Sequence, residues 1–233
     1  MTVQQTPVVG TESRVTVRPS DASGRFTLVA SALALCAATL AVLLVWTPWG
    51  ERNAFAYRDV APVRDAAWNS LLVDALAFAG LAVTFAILTC LLVRERGRLA
   101  ATIGAVLAVA GGILFAAGEV AVATLDWYAT SDGISPDAGA KLLSWSHADT
   151  ANGHSGHLFG PQAAGFVLVA IASLVLAGAL IRARALPTAV PVAVIVMTLA
   201  QFPLSSGRLG DLVEAVTMLT FVGVALAALR GRR

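Results

Sequence analysis

Six apolar runs divide the chain, at about 26–46, 71–93, 99–125, 161–181, 187–204 and 209–229, and charged or Gly/Pro-containing breaks separate them. A helix rises 1.5 Å per residue, so about 20 residues cross ~30 Å of hydrocarbon, and each run predicts a transmembrane helix. The fifth is the shortest and carries Pro187, Pro191, Gln201 and Pro203. Losing it would leave five spans and move the C-terminus across the membrane. The fold class read from this pattern is all-α: a polytopic six-transmembrane-helix bundle over residues 25–230. A tail over 1–24 precedes it, polar and without apolar periodicity, which predicts disorder. Arg14, Arg18 and Arg25 precede the first run as they would a signal peptide. The run is longer than such a segment's apolar core and lacks a small-residue cleavage site, so it is read as a retained helix.

Composition agrees with lipid as the main solvent, since 58% of the 233 residues are hydrophobic and only 13% charged, with mean hydropathy +0.79. The net charge of +2 gives no nucleic-acid footprint. The placement of charge reports topology. Putting the N-terminal tail, Arg94–Arg98, Arg182–Arg184 and Arg230–Arg233 in the cytoplasm leaves eleven basic residues inside and five outside, against three acidic residues inside and eleven outside. Both termini are then cytoplasmic, and the loops 47–70 and 126–160 are extracytoplasmic. Trp46, Trp49, Trp68, Trp127, Trp145, Tyr57 and Tyr128 fall at or beyond that outer interface, so those loops are expected to lie on the membrane surface. In the third loop, Ser135-Pro136-Asp137 has the form of a helix start and predicts a short interfacial helix with Leu142, Leu143 and Trp145 on its apolar face. Cys36 and Cys90 lie inside apolar runs and read as packing residues.

The third run carries Gly104, Ala108, Gly112 and Ala116 at spacing four, a small-residue ridge that lets another backbone approach. Glu119 projects from the same face. An ionisable group within the membrane costs a few kcal/mol, so it needs a partner, a water-filled cavity or a neutral state. Asp74 in the second run and Asp211 and Glu214 at the start of the sixth complete a set of carboxylates at similar depth. Arg208 is the nearest cation by sequence, and Gln201 offers a neutral partner. Asp211 and Glu214 also have the spacing of a capping box.

All three histidines fall in one stretch, His147-Ala148-Asp149-Thr150-Ala151-Asn152-Gly153-His154-Ser155-Gly156-His157. Imidazoles with a carboxylate suit zinc or copper, so His147, Asp149, His154 and His157 form a candidate metal set, although the spacing matches no strong signature. Gly153-His154-Ser155-Gly156 resembles the GxSG motif of rhomboid proteases over four residues. That resemblance implies a Ser155 nucleophile and a histidine base on the sixth helix. Residues 209–229 contain none, which leaves only His147 or His157 for the role.

Three functional classes follow. The first is a non-enzymatic accessory or scaffold subunit of a bacterial inner membrane, touching lipid and a membrane-protein partner or a second copy through the ridge and outer loops. The second is a carrier of small solutes, protons or metal ions with an outward-facing acidic cavity. It requires the carboxylates to converge. The third is an extracytoplasmic metal- or serine-dependent enzyme using the histidine loop.

Overall fold

The structure, a computed structural model, describes residues 19–48, 56–148, 156–203 and 207–231. Among these residues it is helical throughout: α1 (Pro19–Val45), α2 (Tyr57–Val60) continued by a 3₁₀ turn at Ala61–Val63, α3 (Arg64–Leu92), α4 (Arg98–Ala129), α5 (Pro136–Ala148), α6 (Gly156–Ala183), α7 (Ala189–Gln201) and α8 (Gly207–Arg230). Five helices are long and apolar enough to cross a membrane, so the chain is a multi-pass helical membrane protein. Large apolar side chains such as Leu35, Leu76, Ile113 and Leu219 face outward from the bundle, where only lipid solvates them well.

The helices outrun the apolar stretches that reveal them. α3 begins at Arg64 rather than near 71, α4 runs to Ala129, and α6 starts at Gly156, so Pro161 lies inside it. The apolar run marks the part facing hydrocarbon, whereas backbone bonding continues into water; Pro161 forfeits one such bond without ending the helix. Residues 19–24, assigned above to the tail, are the first turns of α1. α7 has 13 residues, about 20 Å of helix, and stops short of a bilayer's width. α5 starts at the expected place, where Ser135 Oγ accepts the backbone N–H of Ala138.

Short links set the packing order. α3 and α4 are joined through Gly97, whose φ of +92° is a conformation glycine adopts without strain. α6 ends with Arg184 at φ 52° while the Ala185 N–H returns to the Leu180 carbonyl, a left-handed helix stop. Around the bundle α1 packs on α3, α3 on α4, α4 on α6, α6 on α7, α7 on α8, and α8 back on α1. The result is a closed ring around one apolar core.

The closest approach is α4 against α6. Gly111 and Gly118 of α4 meet Gly165 and Gln162 of α6 backbone to backbone, and Gly104 receives Leu176. Gly112 faces the other way, onto Ala79 and Ala82 of α3. The spacing-four ridge thus serves two neighbours inside this chain, and the stripe facing α6 recurs every seven residues at Gly104, Gly111 and Gly118.

At the end carrying α2 and α5, Val60 packs with Ala67, Leu71 and Ala123. Gly139 of α5 seats against the Ala129 carbonyl and the Tyr57 ring. Arg64 fastens this end. It donates to the Thr130 carbonyl and to Asp132 Oδ1, each at 3.3 Å, and stands 5.3 Å from the Trp127 ring centre. The Trp127 indole in turn donates to Asp65 Oδ1 at 2.9 Å. Because a planar guanidinium makes several bonds at once, Arg64→Ala is expected to speed amide exchange over residues 127–134 by about tenfold, with Arg64→Lys only partly protective. Equal exchange in all three proteins would show that the clasp restrains nothing.

Candidate functional site

The site is built on a layer of aromatic rings. Phe78 of α3 stacks on Phe115 of α4 with centroids 3.9 Å apart and lies 6.4 Å from Phe166 of α6. These contacts fix the registers of three helices. One helical turn toward the α5 end, each helix replaces its ring by a polar side chain: Asp74 four residues before Phe78, Glu119 four after Phe115, Gln162 four before Phe166. Residues four apart share a helix face, so these side chains occupy one level directly above the rings.

Asp74 is 5% exposed and Glu119 4%, so both carboxyl groups are withdrawn from lipid into protein. The Gln162 amide donates to Glu119 Oε2. Gly118 makes this reach available, since a Cβ there would stand 2.6 Å from the Gln162 backbone nitrogen. Removing that Cβ is what brings a short amide across the helix pair.

Two turns further toward the α5 end, Asp126 continues the same α4 face seven residues beyond Glu119 and is 2% exposed. Gly112, Glu119 and Asp126 form one stripe at spacing seven. Buried carboxyls therefore occupy two levels between the end of α4 and the aromatic layer, Asp126 on the outer one and Glu119 of α4 with Asp74 of α3 on the inner one. Among the described residues no three His, Cys, Asp or Glu side chains group as a metal-binding set, so this is a ladder rather than a chelate.

Behind the rings lies a small cavity of about 20 Å³, lined by Phe78 and Leu81 of α3, Phe166 and Ser173 of α6, Thr198 and Gln201 of α7, and Thr217 and Phe221 of α8 among others. Its polar members are all buried.

The remaining sequence candidates sit elsewhere. Arg208 is exposed in the first turn of α8, and Asp211 and Glu214 are half-buried on that helix, which packs against α1 and α7. Asp211 does not cap α8, because the helix begins four residues earlier, at Gly207. Gln201, expected to partner a carboxylate, instead lines the cavity. Asp149, His154 and Ser155 lie outside the described residues, as do the side chains of His147 and His157.

Sequence reasoning missed Gln162, Asp126, Ser173, Thr198 and Thr217. Asp126 had a usable signal in its seven-residue step from Glu119. The apolar run ends before it, so run length alone places it in the loop 126–160. Gln162 had none, since its role depends on the register of α6 against α4. Comparison with protein-family models, curated proteins and solved structures finds no match for the chain.

Proposed function

We propose that this protein is a carrier of protons or small cations across a bacterial cytoplasmic membrane, with the buried carboxyls as its entry path. The observation that carries this reading is the Asp126, Glu119 and Asp74 ladder. It leads from one end of the bundle to an aromatic layer with a small, mostly apolar cavity behind it. Carboxyls withdrawn into a membrane bundle are costly, and a stepwise series is the arrangement that relays protons or steers a cation. In this reading α7 completes a sixth crossing, both termini are cytoplasmic, and the α2–α5 end opens outward. The scaffold reading drew on the small-residue ridge and the outer loops; Gly104 and Gly112 of the ridge pack on α6 and α3 of the same chain, which leaves that reading the outer loops alone.

The test is flux. Reconstituted into liposomes holding a pH-sensitive dye, the protein is expected to dissipate an imposed proton gradient faster than empty vesicles. Asp74→Asn and Glu119→Gln keep size and polarity but remove the titratable proton, and each is expected to cut that rate at least about tenfold. A parent protein no leakier than empty vesicles, or variants as fast as the parent, would end the carrier reading. Reporter fusions at 96 and at 132 address orientation: the reading needs opposite faces of the membrane.

A further inference from the structure

We infer that the end of the bundle opposite α2 and α5 carries a binding site for the phosphate headgroup of an anionic phospholipid, built by arginines at the junction of α4 and α6. Two short links meet there. The link from α3 to α4 carries Arg94, Arg96 and Arg98, and the end of α6 carries Arg182 and Arg184. α4 and α6 run antiparallel, since Gly104 meets Leu176 while Gly118 meets Gln162, so the start of one helix lies beside the finish of the other. A Cβ on Gly97 would stand 3.1 Å from the Ala179 carbonyl oxygen, so the two arginine-bearing segments are in backbone contact.

All five arginines are exposed, and so is Glu95, the one carboxylate among them. Among the described residues none of the five guanidinium groups makes an ion pair or a hydrogen bond, whereas Arg58 and Arg64 at the other end pair with Asp59, Asp65 and Asp132. Like charges gathered in this way repel one another unless an anion joins them. The backbone adds a second sign. α6 stops in a left-handed turn, with the Arg184 N–H on the Ile181 carbonyl at 3.0 Å and the Ala185 N–H on the Leu180 carbonyl at 3.1 Å. Arg184 sits in that turn at φ 52°, where glycine escapes the steric cost that a Cβ brings. It is the one non-glycine residue with positive φ among the described residues, so a charge is kept where the fold alone favours glycine. Membrane orientation asks only for basic residues somewhere in the link. It does not ask for one at the costly position.

The surroundings select a lipid over a soluble anion. Leu99, next to Arg98, is 75% exposed, and Ile103 and Val106 continue the same face of α4 at 48% and 64%. On α6, Gly178 lies one turn before Arg182, and a Cβ there would meet nothing within 4 Å. Each helix thus sets guanidinium groups at the head of an apolar surface turned to the membrane. An amphiphile with a phosphate head and acyl tails matches both parts at once, and the planar fork of a guanidinium bonds phosphate oxygens in pairs. The site makes no use of the carboxyl ladder, so it stands independently of the carrier reading.

The experiment follows thermal unfolding of the delipidated full chain in detergent as dioleoylphosphatidylglycerol, dioleoylphosphatidylcholine or inorganic phosphate is added at one ionic strength, with bound lipid counted by native mass spectrometry. Phosphatidylglycerol is expected to raise Tm by roughly 5 °C at a hundredfold excess over Kd, and the other two by less than about 1 °C. Arg184→Gly and Arg182→Gln should each weaken phosphatidylglycerol binding about fivefold, while Arg58→Gln, at the far end, leaves it within about twofold. Without lipid, Arg184→Gly is expected to unfold at or above the parent's Tm, because it relieves the left-handed turn. Equal stabilisation by both lipids would reduce the effect to general solvation by an amphiphile, and a matching shift with inorganic phosphate would make the ligand a free anion. Either result overturns the proposal. So does phosphatidylglycerol binding that Arg184→Gly and Arg182→Gln leave unchanged, or that Arg58→Gln weakens as much as they do.

Discussion

Gly165→Val is expected to separate α4 from α6 and to destabilise the protein by about 3 kcal/mol or more. A Cβ at Gly165 would collide with the Phe115 backbone nitrogen and lie 2.6 Å from the Gly111 carbonyl oxygen. Both obstacles are backbone, so no rotamer change relieves them. In lipid, helices gain little from hiding apolar surface from one another, and close packing is a main source of their association. Moving α4 outward would forfeit that packing along the whole interface and pull Glu119 from Gln162. Gly178→Ala on the same helix is the control, because a Cβ there has nothing within 4 Å. It should be neutral or slightly stabilising through helix propensity. Thermal unfolding in detergent, read by circular dichroism and size exclusion, separates the two outcomes. A Gly165→Val protein within about 0.5 kcal/mol of its parent would mean that the backbones are not in contact there.

Hydrophobic run length found every long helix, since crossing a membrane imposes that length on the sequence itself. It placed the ends poorly. Arg64 to Ser70 and Asp126 to Ala129 are helical although polar, and nothing local distinguishes a helix that continues into water from a loop. The burial of Glu119 was legible, because a carboxyl beside Gly112 and Ala116 had to face protein or lipid, and lipid is too costly. Its partner was not legible. Gln162 lies 43 residues away, and only the backbone contact through Gly118 decides which level of α6 meets α4. The cavity was less legible still: Ser173, Thr198 and Thr217 are ordinary tolerated residues in an apolar run until three separate helices bring them together.

The closed ring explains why the polar features concentrate in its interior. Among the described residues α8 returns to α1 and closes the packing order, and polar side chains that cannot face lipid collect inside. They do so in two compartments, carboxyls toward the α5 end and neutral oxygens behind, divided by Phe78, Phe115 and Phe166. A charged layer and a neutral one have different solvation needs.

Phe78→Ala is expected to remove that partition. The ring is 5% exposed, stacks on Phe115 at 3.9 Å, and also lines the cavity. Deleting it empties roughly 100 Å³, and at about 24 cal/mol per Å³ the void costs about 2 kcal/mol. The transfer penalty that a soluble core would add is smaller here, because lipid solvates a phenyl ring almost as well as protein does. The consequence for transport should exceed that for stability. Space on that scale, open to Asp74 and Glu119 on one side and to Gln201 and Thr198 on the other, is polar enough to hold water. Proton leak in liposomes should then rise at least about tenfold over the parent and become insensitive to Glu119→Gln, because a water path would bypass the carboxyl relay. Phe78→Leu, which fills most of the space, should restore both stability and the dependence on Glu119. A Phe78→Ala protein whose leak matches the parent and still requires Glu119 would show that the ring does not separate the two compartments.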